Sequence, residues 1–130
     1  MKTKGDFISK IHLVISIAIV FPVAILYGFF PSLEFDLFPK TLDEHNFYKA
    51  IMGLYIAFSV VWILGVFKTH YLKTALVSNV AFMLGLGFGR IVSIICEGLP
   101  TQGYLIGTFL ELFLGFYGVW VLKTNASRWS

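Results

Sequence analysis

Apolar residues run almost unbroken through four stretches of this chain, and polar residues collect in the gaps between them. The stretches cover about Ile11–Phe30, Phe47–Phe67, Leu72–Cys96 and Tyr104–Leu122. Each reaches the roughly 20 residues that a helix needs to cross a bilayer. Lipid offers the backbone no hydrogen-bond partner, so such segments are helices or strands of a closed barrel. Their length and continuous apolarity predict helices. The gaps read as helix ends. Pro31 and Pro39 bracket the first connection, and Thr41 with Glu44 has the spacing of a capping box before the second helix. The short link Lys68–Tyr71 allows nothing but an antiparallel hairpin. Gly98 and Pro100 stop the third helix, and Thr101 starts the fourth. Pro22 falls inside the first run and predicts a kink there. The pattern predicts an all-α, polytopic membrane protein. Residues 1–130 form one domain, a four-helix antiparallel transmembrane bundle.

Composition supports lipid as the solvent. The chain is 58% hydrophobic and 13% charged, with a mean hydropathy of +0.83. A soluble domain carries about 25% charged residues, and a soluble fold of 130 residues could not hide this much apolar surface. The net charge of +3 comes mostly from lysines outside the apolar runs and marks no nucleic-acid surface. Lys2, Lys4, Lys10, Lys68, Lys73, Lys123 and Arg128 fall on one side of the membrane, and Lys40 and Lys49 on the other. The positive-inside rule then places both termini in the cytoplasm. Trp62, Tyr71 and Trp120 fall near the inner interface and Tyr27, Tyr48 and Tyr104 near the outer one, as an aromatic belt. The first run is too long for a signal peptide and reads as a retained anchor. Leu33–Phe38 alternates apolar and acidic residues and is expected along the outer membrane surface. The sequon Asn125-Ala126-Ser127 lies on the cytoplasmic side and carries little weight.

Glycines recur at a spacing of four. Gly85 with Gly89, Gly103 with Gly107 and Gly115, and Gly53 with Ala57 match the small-xxx-small pattern that lets membrane helices approach closely. "GLGFGR" is no phosphate loop, because no strand precedes it and the third glycine of the motif is missing.

Two charges lie inside the runs. Arg90 is roughly 9 Å inward from Cys96, and Glu111 roughly 10 Å inward from Tyr104, at 1.5 Å per residue. They lie at similar depth on sequential antiparallel helices, so an ion pair between them is expected. An unpaired charge at mid-bilayer costs at least about 2.5–3.5 kcal/mol. On a helical wheel Asn79, Arg90, Ser93 and Glu97 share an arc of about 60°. Asn46, Lys49, Gly53 and Ala57 share a face of the second helix, with Tyr48, Tyr55, Ser59 and Trp62 opposite, toward lipid or a neighbouring subunit. If both polar faces turn inward, Asn46, Lys49, Arg90, Ser93, Glu97 and Glu111 surround one outward-opening pocket. Three readings stay open. The cluster is a satisfied network that locks helix register, a site for an anionic or amphipathic ligand, or part of a proton pathway. For the inner half of such a pathway only Asn79, Ser16 and Ser59 are candidates.

Other chemistry is thin. His12, His45 and His70 lie near the membrane edges, without the spacing of a metal site or of haem ligands inside the spans. Cys96, the single cysteine, forms no intrachain disulfide and reads as a packing residue. No serine sits in a nucleophile elbow. No cofactor or metal is expected, and no pattern identifies a reaction.

The segments "DEHNFYKAIMGLYIA", "GRIVSIICEGLP" and "ELFLGFYG" resemble the bacterial family called domain of unknown function 4345. The positions that carry the resemblance are Asn46, Lys49, Gly53 and Tyr55, then Gly89, Arg90, Ser93, Glu97, Gly98 and Pro100. Lysine stands at 49 where arginine is common in the family, which removes a bidentate contact there. The resemblance implies a compact four-helix protein of the bacterial inner membrane and brings no activity with it. The expected function is therefore non-enzymatic binding of a lipid-like or anionic small molecule, or of a membrane partner, through the outer pocket. The alternative is a small proton-coupled transporter of an amphipathic solute with Glu111 as its coupling carboxylate. Membrane lipid, a second copy of the chain or a larger membrane complex are the expected partners, and nucleic acid is not.

Overall fold

The computed structural model describes residues 4–34 and 37–125. Lys2, Asp36, Arg128 and most of the sequon lie outside the described residues, so their parts in the charge count and the surface segment stay expectations. The helices are α1 (Lys4–Phe29), α2 (Pro31–Glu34), α3 (Leu42–Phe67), α4 (Leu72–Glu97) and α5 (Gln102–Thr124), with a turn of 3-10 helix at Thr69–Tyr71. No strand occurs among the described residues. Four helices (all but α2) are long and apolar enough to cross a membrane. They form an all-α bundle in which α1 packs chiefly on α3, α3 on α4 and α4 on α5.

The ends follow from local chemistry. Thr41 caps α3 by accepting a hydrogen bond from Glu44 N at 3.1 Å, while Glu44 Oε2 accepts from Lys40 N at 3.3 Å. One orphan donor of the first turn is thereby satisfied, together with the backbone N–H that precedes the cap. Gly98 closes α4 with φ +101°, a conformation that costs a residue with a Cβ atom. α1 runs unbroken through Pro22 and begins seven residues before the expected span, at Lys4.

Helix α3 is rotated away from its expected orientation. Tyr55, Ser59 and Trp62 are buried, and Gly53 and Ala57 are exposed. Trp62 and Tyr27 thus belong to the core and not to a lipid-facing belt. The reason is packing. Lipid is as apolar as the core, so burial is decided by contact between large side chains. Phe82 is the hub of that contact. Its ring centroid lies 5.0 Å from those of Tyr55 and Phe58 and 5.2 Å from that of Trp62. Trp62 Nε1 also donates to Ser78 Oγ at 3.2 Å.

Close approach falls on other glycines than the spacing suggests. A Cβ at Gly87 would lie 2.6 Å from Leu112 Cδ2, and one at Gly118 2.6 Å from Val80 Cγ2. Gly115 receives Leu84, Gly28 receives Met52, and Gly65 receives Ala75. Of the expected packing glycines, Gly115 holds such a position, while Gly53, Gly85, Gly89 and Gly107 face open space. Spacing by four marks a helix face of low relief, but not whether that face meets a neighbour.

Candidate functional site

Leu84 against Gly115 and Gly87 against Leu112 set the register of α4 on α5. The next step outward along that seam brings Arg90 to Glu111. The guanidinium Nε donates to Glu111 Oε1 at 2.7 Å and Nη2 donates to Oε2 at 3.2 Å. This is a two-point fork, the strong form of the arginine–carboxylate contact. Nη2 also donates to the Tyr27 hydroxyl at 3.4 Å, which ties α1 to the pair. The Tyr104 ring lies 5.4 Å from Arg90 Cζ, within cation–π reach. Tyr55 stacks edge-on to Tyr27 with centroids 5.6 Å apart. Three phenols therefore surround one neutralised charge pair. The side chains of Arg90 and Glu111 are 21% and 14% exposed.

This polar group closes one end of a cavity of about 290 Å³. Its walls are Ile19, Val20, Val23 and Leu26 of α1 and Gly103, Ile106, Gly107, Leu110 and Leu114 of α5, with Tyr55, Phe82 and Met83 at the back. Gly103 and Gly107 make the room by bringing no side chain to the wall. At the other end α1 and α5 rejoin. His12 Nε2 lies 2.8 Å from the Leu114 carbonyl, and the Tyr117 hydroxyl donates to the Ile8 carbonyl at 3.3 Å. A carbonyl can only accept, so His12 carries its proton on Nε2 there. The cavity is a side window between α1 and α5, polar at one end and apolar along its length.

The expected six-residue pocket is divided. Arg90 and Glu111 meet at the cavity. Ser93 lies on the other flank of Arg90, beside Gly85 and Gly89, and donates to Glu97 Oε2 at 2.9 Å. Lys49 Nζ donates to the Gly28 carbonyl at 3.0 Å and lies over the Phe29 ring at 5.2 Å. It thereby satisfies the C-terminal end of α1. Asn46 is exposed in the first turns of α3. The rotation of α3 explains the split, because it carries Asn46 and Lys49 outward as the aromatic face turns in.

Sequence reasoning missed the three tyrosines as a group, and it missed a second polar cluster. Asp6, Ser9, His12 and Ser16 are fully buried on α1. They recur every three or four residues on one face, a signal hidden by starting the span at Ile11. His12 stands edge-on to the Tyr117 ring at 4.7 Å. Asn79 is also fully buried, and neither atom of its amide has a hydrogen-bond partner. An orphaned buried amide costs about 1–3 kcal/mol. Asn79→Leu, of similar shape, is thus expected to raise the unfolding free energy by about that amount. Thermal unfolding of the purified protein in detergent measures it, and a destabilised variant would show that the amide is satisfied.

No curated protein and no solved structure matches this chain. A family model described as a domain of unknown function (DUF4345) matches residues 8–122, the region that holds most of the four long helices and the Arg90–Glu111 pair. The chain belongs to that family.

Proposed function

We propose that this protein is a multi-pass protein of the bacterial inner membrane, with both termini in the cytoplasm, that binds a lipid-like amphiphile in the cavity between α1 and α5. The observation that carries this reading is the shape and chemistry of the cavity. A polar head at Arg90, Glu111 and the tyrosines continues into walls of valine, leucine and isoleucine between α1 and α5. Small-molecule sites are typically concave and mostly apolar, with a few fixed polar groups.

The test is to fill the cavity. A Cβ at Gly107 meets nothing within 4 Å, and Gly107 lines the cavity, so Gly107→Leu is expected to place its side chain in that space. Native mass spectrometry of the purified wild-type protein is expected to show a bound amphiphile, and Gly107→Leu is expected to lose it while keeping its thermal stability. Equal lipid content in the two proteins would overturn the reading.

The buried column of Asp6, Ser9, His12 and Ser16 favours a second reading, a proton-coupled carrier of an amphipathic solute. These groups bring polar atoms into the half of the bundle that the cavity does not reach. Solute flux driven by a proton gradient in liposomes would separate carriage from passive binding.

A further inference from the structure

We infer that the amphiphile has an uncharged, flat, carbonyl-bearing ring as its head and a single long apolar tail, as a membrane quinone has. This inference rests on the proposed binding of an amphiphile between α1 and α5 and names its chemical class.

Charge comes first. Arg90 is already engaged by both oxygens of Glu111 and by the Tyr27 hydroxyl. The pair sums to zero. An anionic head drawn to the guanidinium would meet the Glu111 carboxylate at nearly the same distance, and Coulomb attraction and repulsion would offset each other. Separating the pair to free Arg90 would leave a buried carboxylate alone, at a cost of several kcal/mol. A phosphate or a free carboxylate is therefore the wrong head for this site.

Shape comes second. Tyr27, Tyr55 and Tyr104 line the head end, and Phe82 lines the wall further in. Tyr55 contacts Tyr27 and Phe82 edge-on, at 5.6 and 5.0 Å between centroids. Flat aromatic walls suit a flat ring, by stacking and edge-to-face contact. Phenol and guanidinium groups can donate hydrogen bonds, and a ring that carries acceptors suits them. Carbonyl oxygens accept without charge.

Size comes third. A volume of about 290 Å³ is at the lower bound of small-ligand pockets. It holds a ring and the start of one tail, but not a glycerol with two acyl chains. The rest of the tail passes between α1 and α5 into the lipid.

Trp62 gives the readout. Its ring centroid is 5.2 Å from that of Phe82, which lines the cavity, and quinones quench excited indole by electron transfer. With Trp120→Phe and Trp129→Phe as background, Trp62 is the sole tryptophan. Titration with a decyl-tailed benzoquinone in detergent is expected to quench Trp62 saturably. Gly107→Leu is expected to weaken that binding at least about tenfold, or 1.4 kcal/mol. Decyl phosphate, with the same tail and an anionic head, is expected to compete poorly. In Glu111→Gln, which frees the positive charge, decyl phosphate is expected to gain affinity.

Quenching that rises linearly and equally in wild type and Gly107→Leu would overturn the proposal, as would decyl phosphate displacing the quinone at equal concentration. If Gly107→Leu still strips the copurified amphiphile in either case, binding in the cavity stands and the ring-head assignment alone falls. If wild type and Gly107→Leu carry equal amphiphile, the binding reading itself has failed, and this inference with it. The quinone comparison between wild type and Gly107→Leu needs no fold from Glu111→Gln, so it decides the matter even where that variant is unstable.

Discussion

Glu111→Leu is expected to destabilise the bundle by about 3–5 kcal/mol, the largest loss of any single substitution considered. The variant removes one carboxylate but leaves the Arg90 guanidinium part-buried between α4 and α5, with the Tyr27 hydroxyl as its remaining hydrogen-bond acceptor among its present contacts. The penalty is that of an uncompensated charge in a medium of low dielectric. It is not the net worth of the pair. The double variant Arg90→Met with Glu111→Leu separates the two. It removes both charges and is expected to recover most of the lost stability, because well-packed apolar residues often replace a buried ion pair at little cost. Unfolding of the two single variants and the double variant in micelles forms a double-mutant cycle. A double variant no more stable than Glu111→Leu would mean that the cost lies in lost packing.

Trp62→Ala has the second largest expected effect, a loss of about 2–3 kcal/mol. In a soluble core the same truncation costs about 3–5 kcal/mol, from transfer and cavity terms together. Here the unfolded helix is still solvated by lipid, so the transfer part falls away and the lost contacts remain. Those contacts are the Phe82 and Phe58 rings at 5.2 and 6.3 Å and the hydrogen bond to Ser78. Ser78 keeps its own bond to the Ala75 carbonyl at 2.9 Å, so no orphan donor is created on α4. Trp62→Phe, which keeps a ring against Phe82, is expected to lose less than about 1.5 kcal/mol. Equal losses for alanine and phenylalanine would place the stabilisation in the indole N–H and not in the ring.

The helices, the hairpin between α3 and α4 and the Thr41 cap were legible because each depends on local chemistry. The Arg90–Glu111 contact was legible for a related reason. Two opposite charges at matched depth on consecutive antiparallel helices have few other ways to avoid a penalty in hydrocarbon. Rotation about a helix axis was not legible in the same way. In water an apolar stripe names its buried face, but in lipid both faces of α3 are apolar. Tyr55 and Trp62 then outweigh Gly53 and Ala57 through contact area. The glycine rows misled for the same reason, since Gly103 and Gly107 serve as the wall of a cavity and not as a seam. The start of α1 was hidden because Asp6, Ser9 and His12 look like the polar fringe of a span. All three are buried, and His12 reaches the Leu114 carbonyl across the α1–α5 contact.

In the proposed membrane setting, the side window between α1 and α5 opens toward hydrocarbon and not toward water. A molecule that uses it must first dissolve in the bilayer and then search in two dimensions. Occupancy therefore follows mole fraction among the lipids, with aqueous concentration acting only through partitioning. Molecules abundant in the membrane can fill such a site with weak intrinsic affinity, and any shift in membrane composition is read out directly as a shift in loading.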